Sequence, residues 1–99
     1  MDKDRPDLPH GLTPDEILRI ARRHGAFDVR VFGSRARGDA RSDSDLDLLV
    51  GLERGRDLFD LIGLKLDLEE RAGIRVEVLT PGFLDSDMRP QVEQEAIAL

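Results

Sequence analysis

The stretch VFGSRARGDARSDSDLDLLV, Val31–Val50, joins the end of one apolar alternation to the start of another through a loop rich in Arg and Asp. Before the loop, Phe27, Val29 and Val31 alternate with Asp28 and Arg30, the period of a strand, which Gly33 ends. After it, Leu46, Leu48 and Val50 mark one face of a second strand, with Asp45, Asp47 and Leu49 on the other. Charge therefore enters a strand, where an unpaired carboxylate is penalised.

Asp45 and Asp47 are two positions apart, so both project from one sheet face and can converge on one place. Carboxylates that close repel unless cations compensate, and Mg²⁺ is the usual partner of oxygen-only ligands. Glu77 lies on a third predicted strand and joins the pair if that strand neighbours the second. Three carboxylates can hold two metal ions about 3.5–4 Å apart, which stabilises the attacking and leaving oxygens of phosphoryl or nucleotidyl transfer. Upstream, Gly33 permits close approach of backbone to a ligand, Ser34 supplies a hydroxyl, and the N–H groups of a short helical turn through Gly38 attract phosphate. Arg35 and Arg37 are placed to neutralise a triphosphate, with a surface role open for Arg37. A calcium loop fails as the rival reading. Asp43, Asp45 and Asp47 fit its first, third and fifth positions, but Leu48 stands where it needs Gly and Arg54 where it needs Glu.

Outward from this stretch, Thr13-Pro14-Asp15-Glu16 predicts a capped helix start, and Gly25 its stop. The segment from about Asp57 to Ala72 is the strongest helix, closed by Gly73. Leu61, Leu64, Leu68 and Ala72 form one apolar stripe on it, and Leu58, Phe59, Ile62 and Leu66 a second. The second stripe exceeds what a three-strand core needs; it either meets a partner chain or packs under the terminal helices. Ile74, Val76 and Val78 alternate with Arg75, Glu77 and Leu79, and Pro90 opens a short helix through Ile97. The predicted order is α-β-β-α-β-α. Residues 1–12, with two Pro, one Gly and five charges, read as a mobile arm before a single domain over 13–99. His10 falls in that arm, and His24 reads as a dipole partner at a helix C-terminus.

Ninety-nine residues suit one small domain, burying roughly 65% of the surface its unfolded chain exposes. With no Cys, disulfides, thiolate chemistry and Cys-ligated zinc are excluded. No signal peptide opens the chain and no apolar run approaches a membrane span, so a cytoplasmic protein is expected. A net charge of −6, four Phe and no Trp or Tyr argue against direct nucleic-acid binding, so any phosphate site is local.

Gly33-Ser34, ten intervening residues, then Asp45-Leu46-Asp47 resembles the signature of the polymerase-beta-like nucleotidyltransferases, and the fuller run GSRARGDARSDSDLDLLV is similar to their minimal nucleotidyltransferase (MNT) branch. The pre-motif helix, the IRVEVLT strand and the closing RPQVEQEAIAL helix follow in the expected order, covering most of residues 12–99. The resemblance implies an α/β (α+β) fold, a small mixed sheet with helices on one face and the active site on the other. It implies transfer of a nucleoside monophosphate from ATP with two Mg²⁺ ions. In that picture Gly33 and Ser34 hold phosphates, Asp45 and Asp47 bind both metals, and Glu77 is the third ligand where the family more often has Asp.

The chain has no room for an appended acceptor-binding domain, so the acceptor comes from elsewhere. The resemblance implies an antitoxin that adds AMP to a hydroxyl, a tyrosine in related systems, of a HEPN-type ribonuclease toxin encoded nearby, within a homodimer or hetero-oligomer. The alternative is a non-catalytic antitoxin acting by occlusion. A catalytic subunit of a two-chain antibiotic nucleotidyltransferase ranks third.

Overall fold

Alternating apolar residues need a sheet to bury them, and the capped helices provide its cover. In the computed structural model, which describes residues 5–9 and 11–99, the elements run as follows. They are α1 Pro14–Arg23, β1 Ala26–Phe32, α2 Ser34–Arg37, β2 Leu46–Leu52, α3 Leu58–Ala72, β3 Val76–Leu79, a 3-10 turn Pro81–Phe83, α4 Arg89–Glu95 and β4 Ile97–Ala98. The strands form one mixed sheet in the order β3-β2-β1-β4. β1 is antiparallel to both β2 and β4, and β2 and β3 are parallel, joined across α3.

The helix ends are where the capping residues place them. Thr13 accepts the Glu16 N–H at 3.2 Å to start α1. Asp57 and Asp60 form a reciprocal capping box on α3, and Gly73 closes it in the left-handed conformation with φ 73°. Glu16 reaches across to α3, its carboxylate 2.7 Å from Arg71 Nε.

One sheet face carries the core. Val29 and Val31, Leu46, Leu48 and Val50, and Val76 and Val78 are buried against Ile17 and Ala21 of α1 and Leu61, Leu64 and Leu68 of α3. Burial of each such Leu contributes roughly 1.5–3 kcal/mol. The second α3 stripe is not covered by the terminal helices: Leu58, Phe59, Ile62 and Leu66 are all exposed, Phe59 at 80%.

Two expectations are corrected, one in β1 and one at the final helix. In the segment expected to be an arm, among the described residues, Leu12 is buried, Leu8 lies against the core, and the Asp7 N–H donates to the Arg35 carbonyl at 2.8 Å. His10 lies outside the described residues. Phe27 does not share the inward face of Val29 and Val31, because β1 has a bulge between Phe27 and Arg30 with Asp28 at φ 52°. The extra residue turns the Phe27 ring outward, over Gly51. The final helix stops at Glu95 rather than Ile97. Ile97 and Ala98 instead add a fourth strand beside β1, whose outer edge would otherwise lack hydrogen-bond partners.

Candidate functional site

The sheet register assembles the acidic cluster. Asp47 is level with Phe32 on β1 and with Glu77 on β3, so the Asp47 and Glu77 side chains leave the same face of adjacent strands. β3 is held at its start by α3: Lys65 Nζ donates to the Val76 carbonyl at 2.7 Å, and Glu69 accepts the Val76 N–H at 3.0 Å. The same two side chains pair at 2.8 Å. This i,i+4 pair on α3 therefore fixes the strand that carries Glu77.

Asp45 stands one residue ahead of β2 and is exposed. Its position is set from behind by Arg35, which is 2% exposed although it was expected at the phosphates. Arg35 Nε and Nη2 donate to the Ser44 carbonyl at 3.1 and 2.9 Å, Nη2 also to the Ser42 and Arg41 carbonyls, and Nη1 to the Asp7 carbonyl at 2.9 Å. A buried guanidinium with most of its donors spent on backbone carbonyls is poorly placed to meet a phosphate. Arg35 is instead the post around which the loop from Gly38 to Asp45 is wound.

Gly33 ends β1 with φ 77° and ψ −156°, a conformation essentially confined to glycine. A Cβ there would overlap Asp47 Oδ2, so this glycine is required by its conformation and by its neighbour. Ser34 follows as the first residue of α2 and is partly buried. The Gly33 N–H is not open: it donates to Glu95 Oε1 at 3.1 Å. Arg37 also meets Glu95, Nη1 lying 3.3 Å from Oε2, and lies 3.6 Å from Asp39. The Glu95 hydrogen bond, more than any other influence, raises the Arg37 pKa above its ordinary value. Sequence reasoning missed Glu95 because it is far along the chain, at the end of α4.

α4 belongs to the site side of the sheet. Leu49, level with Arg30 on the Asp47 face, is fully buried, and Val92 of α4 is buried too, yet neither belongs to the main core. Helices thus cover the core face as expected, while α4 adds a wall beside Asp47. Arg30 lies on this same face, and its Nε is buried without a hydrogen-bond partner.

Electrostatically the cluster is short of cations. The Asp47 pKa is raised, first by burial, then by the Glu77 and Asp45 charges, with Arg37 opposing and Glu95 adding. Among the described residues no three acidic or His side chains already stand at metal-binding separation. The donor set nonetheless suits a hard cation: Asp47 is half-buried among like charges, all its neighbours in the cluster are oxygen ligands, and Arg37 is shared with Glu95. Asp45, Asp47 and Glu77 are the residues that would hold Mg²⁺. His24 takes no part; its Nε2 is 2.6 Å from Asp67 Oδ2, linking α1 to α3.

Residues 15–99 match the nucleotidyltransferase domain family. The chain is 37% identical over 82 residues to a Methanocaldococcus jannaschii protein put forward as a protein adenylyltransferase, covering 83% of this chain and 88% of that one. It is 36% identical over 94 residues to the protein adenylyltransferase MntA of Thermococcus cleftensis, covering 87% and 95%. Among solved structures, a chain put forward as a minimal nucleotidyltransferase superposes with TM-score 0.76 at 53% identity, covering 86% and 87%. A toxin–antitoxin structure with AMP-PNP has the same fold, with TM-score 0.75 at 19% identity over 88% and 72%.

Proposed function

This chain belongs to the nucleotidyltransferase domain family, within its minimal branch, and from that premise we propose that it is a Mg²⁺-dependent protein adenylyltransferase acting as an antitoxin. It transfers AMP from ATP to a hydroxyl, a tyrosine in the first instance, of a HEPN-type ribonuclease toxin. The observation that carries this reading is the Asp47–Glu77 register beside the Gly33 turn, with Asp45 close enough to raise the Asp47 pKa.

In the transfer, the acceptor oxygen forms a bond to the α-phosphorus, the bond from that phosphorus to the bridging oxygen breaks, and pyrophosphate leaves with the electron pair. Bound Mg²⁺ would neutralise the phosphates and the leaving oxygen. Asp47 holds its oxygens in the sheet register for it, Asp45 adds its own from the residue just ahead of β2, and the exposed Glu77 carboxylate takes the acceptor's proton. The Gly33–Ser34 turn faces the phosphates, and α4 walls the pocket. A toxin is the partner to test first, because MntA is among the relatives and a protein of this fold is known in a toxin–antitoxin assembly. The exposed stripe of Leu58, Phe59, Ile62 and Leu66 offers a surface for it.

The test is incubation of the purified pair with α-labelled ATP and Mg²⁺. Label on the toxin that disappears in the Asp45→Asn, Asp47→Asn double variant is expected. That no three acidic or His side chains among the described residues already stand at metal-binding separation favours one second reading, neutralisation by occlusion. Full neutralisation by the double variant, with no label transferred, would establish that reading in place of the first.

A further inference from the structure

Among the described residues, Glu95 is the acidic side chain that hydrogen-bonds both the Gly33 turn and Arg37, and it is only 18% exposed. α4 and β4 fix its backbone on either side: the Ala96 N–H donates to the Val92 carbonyl at 3.0 Å, and Ile97 pairs with Val31. Arg37 has three acidic neighbours: Glu95 by direct contact, the exposed Asp39 at 3.6 Å, and Asp47, whose carboxylate lies against the Gly33 turn that Glu95 holds and whose field Arg37 feels. An exposed guanidinium close to an uncompensated carboxylate pairs with it when nothing else holds it.

We propose that Glu95 is a positioning residue, which keeps Arg37 off Asp47 and anchors the Gly33 turn, so that the acidic cluster stays open to a divalent cation. Charge alternates along the line Asp47, Arg37, Glu95. Removing the outer member leaves Arg37 with Asp47 as its nearest strong acceptor apart from the exposed Asp39. The cation then occupies the place of the metal, and the Gly33 N–H loses its acceptor. The metal-binding part of this inference rests on the function proposed above; the competition for Arg37 rests on Glu95 joining Arg37 to the Gly33 turn, against which the Asp47 carboxylate lies.

The test is a double-mutant cycle in urea, in EDTA, on the purified chain. Arg37→Gln and Asp47→Asn are combined in the parent and in a Glu95→Gln background. Gln keeps a carbonyl to accept the Gly33 N–H, so the fold is retained. The Arg37–Asp47 coupling is expected to be near unity as a ratio of folding constants in the parent, and about fivefold when Glu95 is replaced. Binding of Mn²⁺ alone, followed by calorimetry, is expected to weaken about tenfold in Glu95→Gln and to recover in the Arg37→Gln, Glu95→Gln double variant. A purely structural Glu95 gives no such recovery.

Unchanged coupling in the Glu95→Gln background overturns the proposal, whether or not the protein transfers AMP. Tighter binding of metal-free ATP by Glu95→Gln also overturns it, since Glu95 would then be an anion competing with phosphate. Increased coupling in a chain that binds no Mn²⁺ leaves the role of Glu95 standing and removes the transferase reading instead.

Discussion

The Asp47 carboxylate lies against Gly33 so closely that a Cβ on Gly33 would overlap Oδ2 and stand 3.3 Å from Cγ. Two demands meet at this glycine, a backbone angle that other residues avoid and the space the Asp47 carboxylate occupies. Gly33→Ala should therefore cost about 1–3 kcal/mol of stability from backbone strain alone, and should also displace Asp47. Urea unfolding measures the first effect and Mn²⁺ calorimetry the second. An alanine variant as stable as the parent and equally able to bind the ion would mean that the turn has slack that these contacts do not allow.

Arg35 should behave as a structural residue. Its guanidinium serves the carbonyls of Asp7, Arg41, Ser42 and Ser44, and removal leaves them short of donors around a buried void. Arg35→Ala is expected to lose at least about 3 kcal/mol, a large part of the stability of so small a domain. Lys should not rescue it, because a point charge cannot reproduce the planar fork. A phosphate-binding Arg35 would give the opposite pattern: an unchanged urea midpoint with a raised KM for ATP.

The contrast between Arg35 and Asp47 shows what can be read from sequence here. Asp47 and Glu77 were legible because strand alternation fixes facing, and the parallel register then needed only adjacency of β2 and β3. Asp45 was legible in position but not in setting: the strand begins after it, and a buried Arg holds its loop. No local pattern distinguishes an Arg that points at phosphate from one that points at carbonyls, since both sit in the same Gly-rich turn. The bulge at Asp28 hid in a regular alternation, and only the backbone shows that Phe27 leaves the face it was counted on. β4, two residues long, and Glu95 depend on how the end of the chain returns to β1, which is tertiary information.

Asp47 should make the metal-free protein less stable as pH rises. Its pKa is raised in the folded state, chiefly by burial and then by Glu77 and Asp45. Between the ordinary carboxylate range and the raised value, the folded chain keeps a proton that the unfolded chain has lost. Stability thus falls as pH rises through that window, and the whole penalty is present above it. Asp47→Asn is expected to raise the urea midpoint at pH 7 in EDTA, with the difference vanishing below the ordinary carboxylate range. Added Mg²⁺ should reverse the order by stabilising the parent and leaving Asp47→Asn unchanged. An Asn variant less stable than the parent at pH 7 without metal would show that Asp47 is compensated by groups other than an ion.

The exposed stripe on α3 carries the last prediction. Leu58, Phe59, Ile62 and Leu66 lie on the helix face away from buried Leu61, Leu64 and Leu68, so changing them removes little from the core. Phe59→Asp with Leu66→Asp should shift folding stability by no more than about 0.5 kcal/mol per site. The same pair should weaken the proposed complex with a toxin by about 2 kcal/mol or more, since a few buried anchors carry most of an interface's energy. Calorimetric titration of the toxin measures that loss, and light scattering of the isolated chain tests the other occupant, a second copy. A complex of unchanged affinity together with a chain that falls from dimer to monomer would assign the stripe to self-association. Transfer of label to a small hydroxyl acceptor should survive in either case, because the stripe lies on the far side of the core from Asp47.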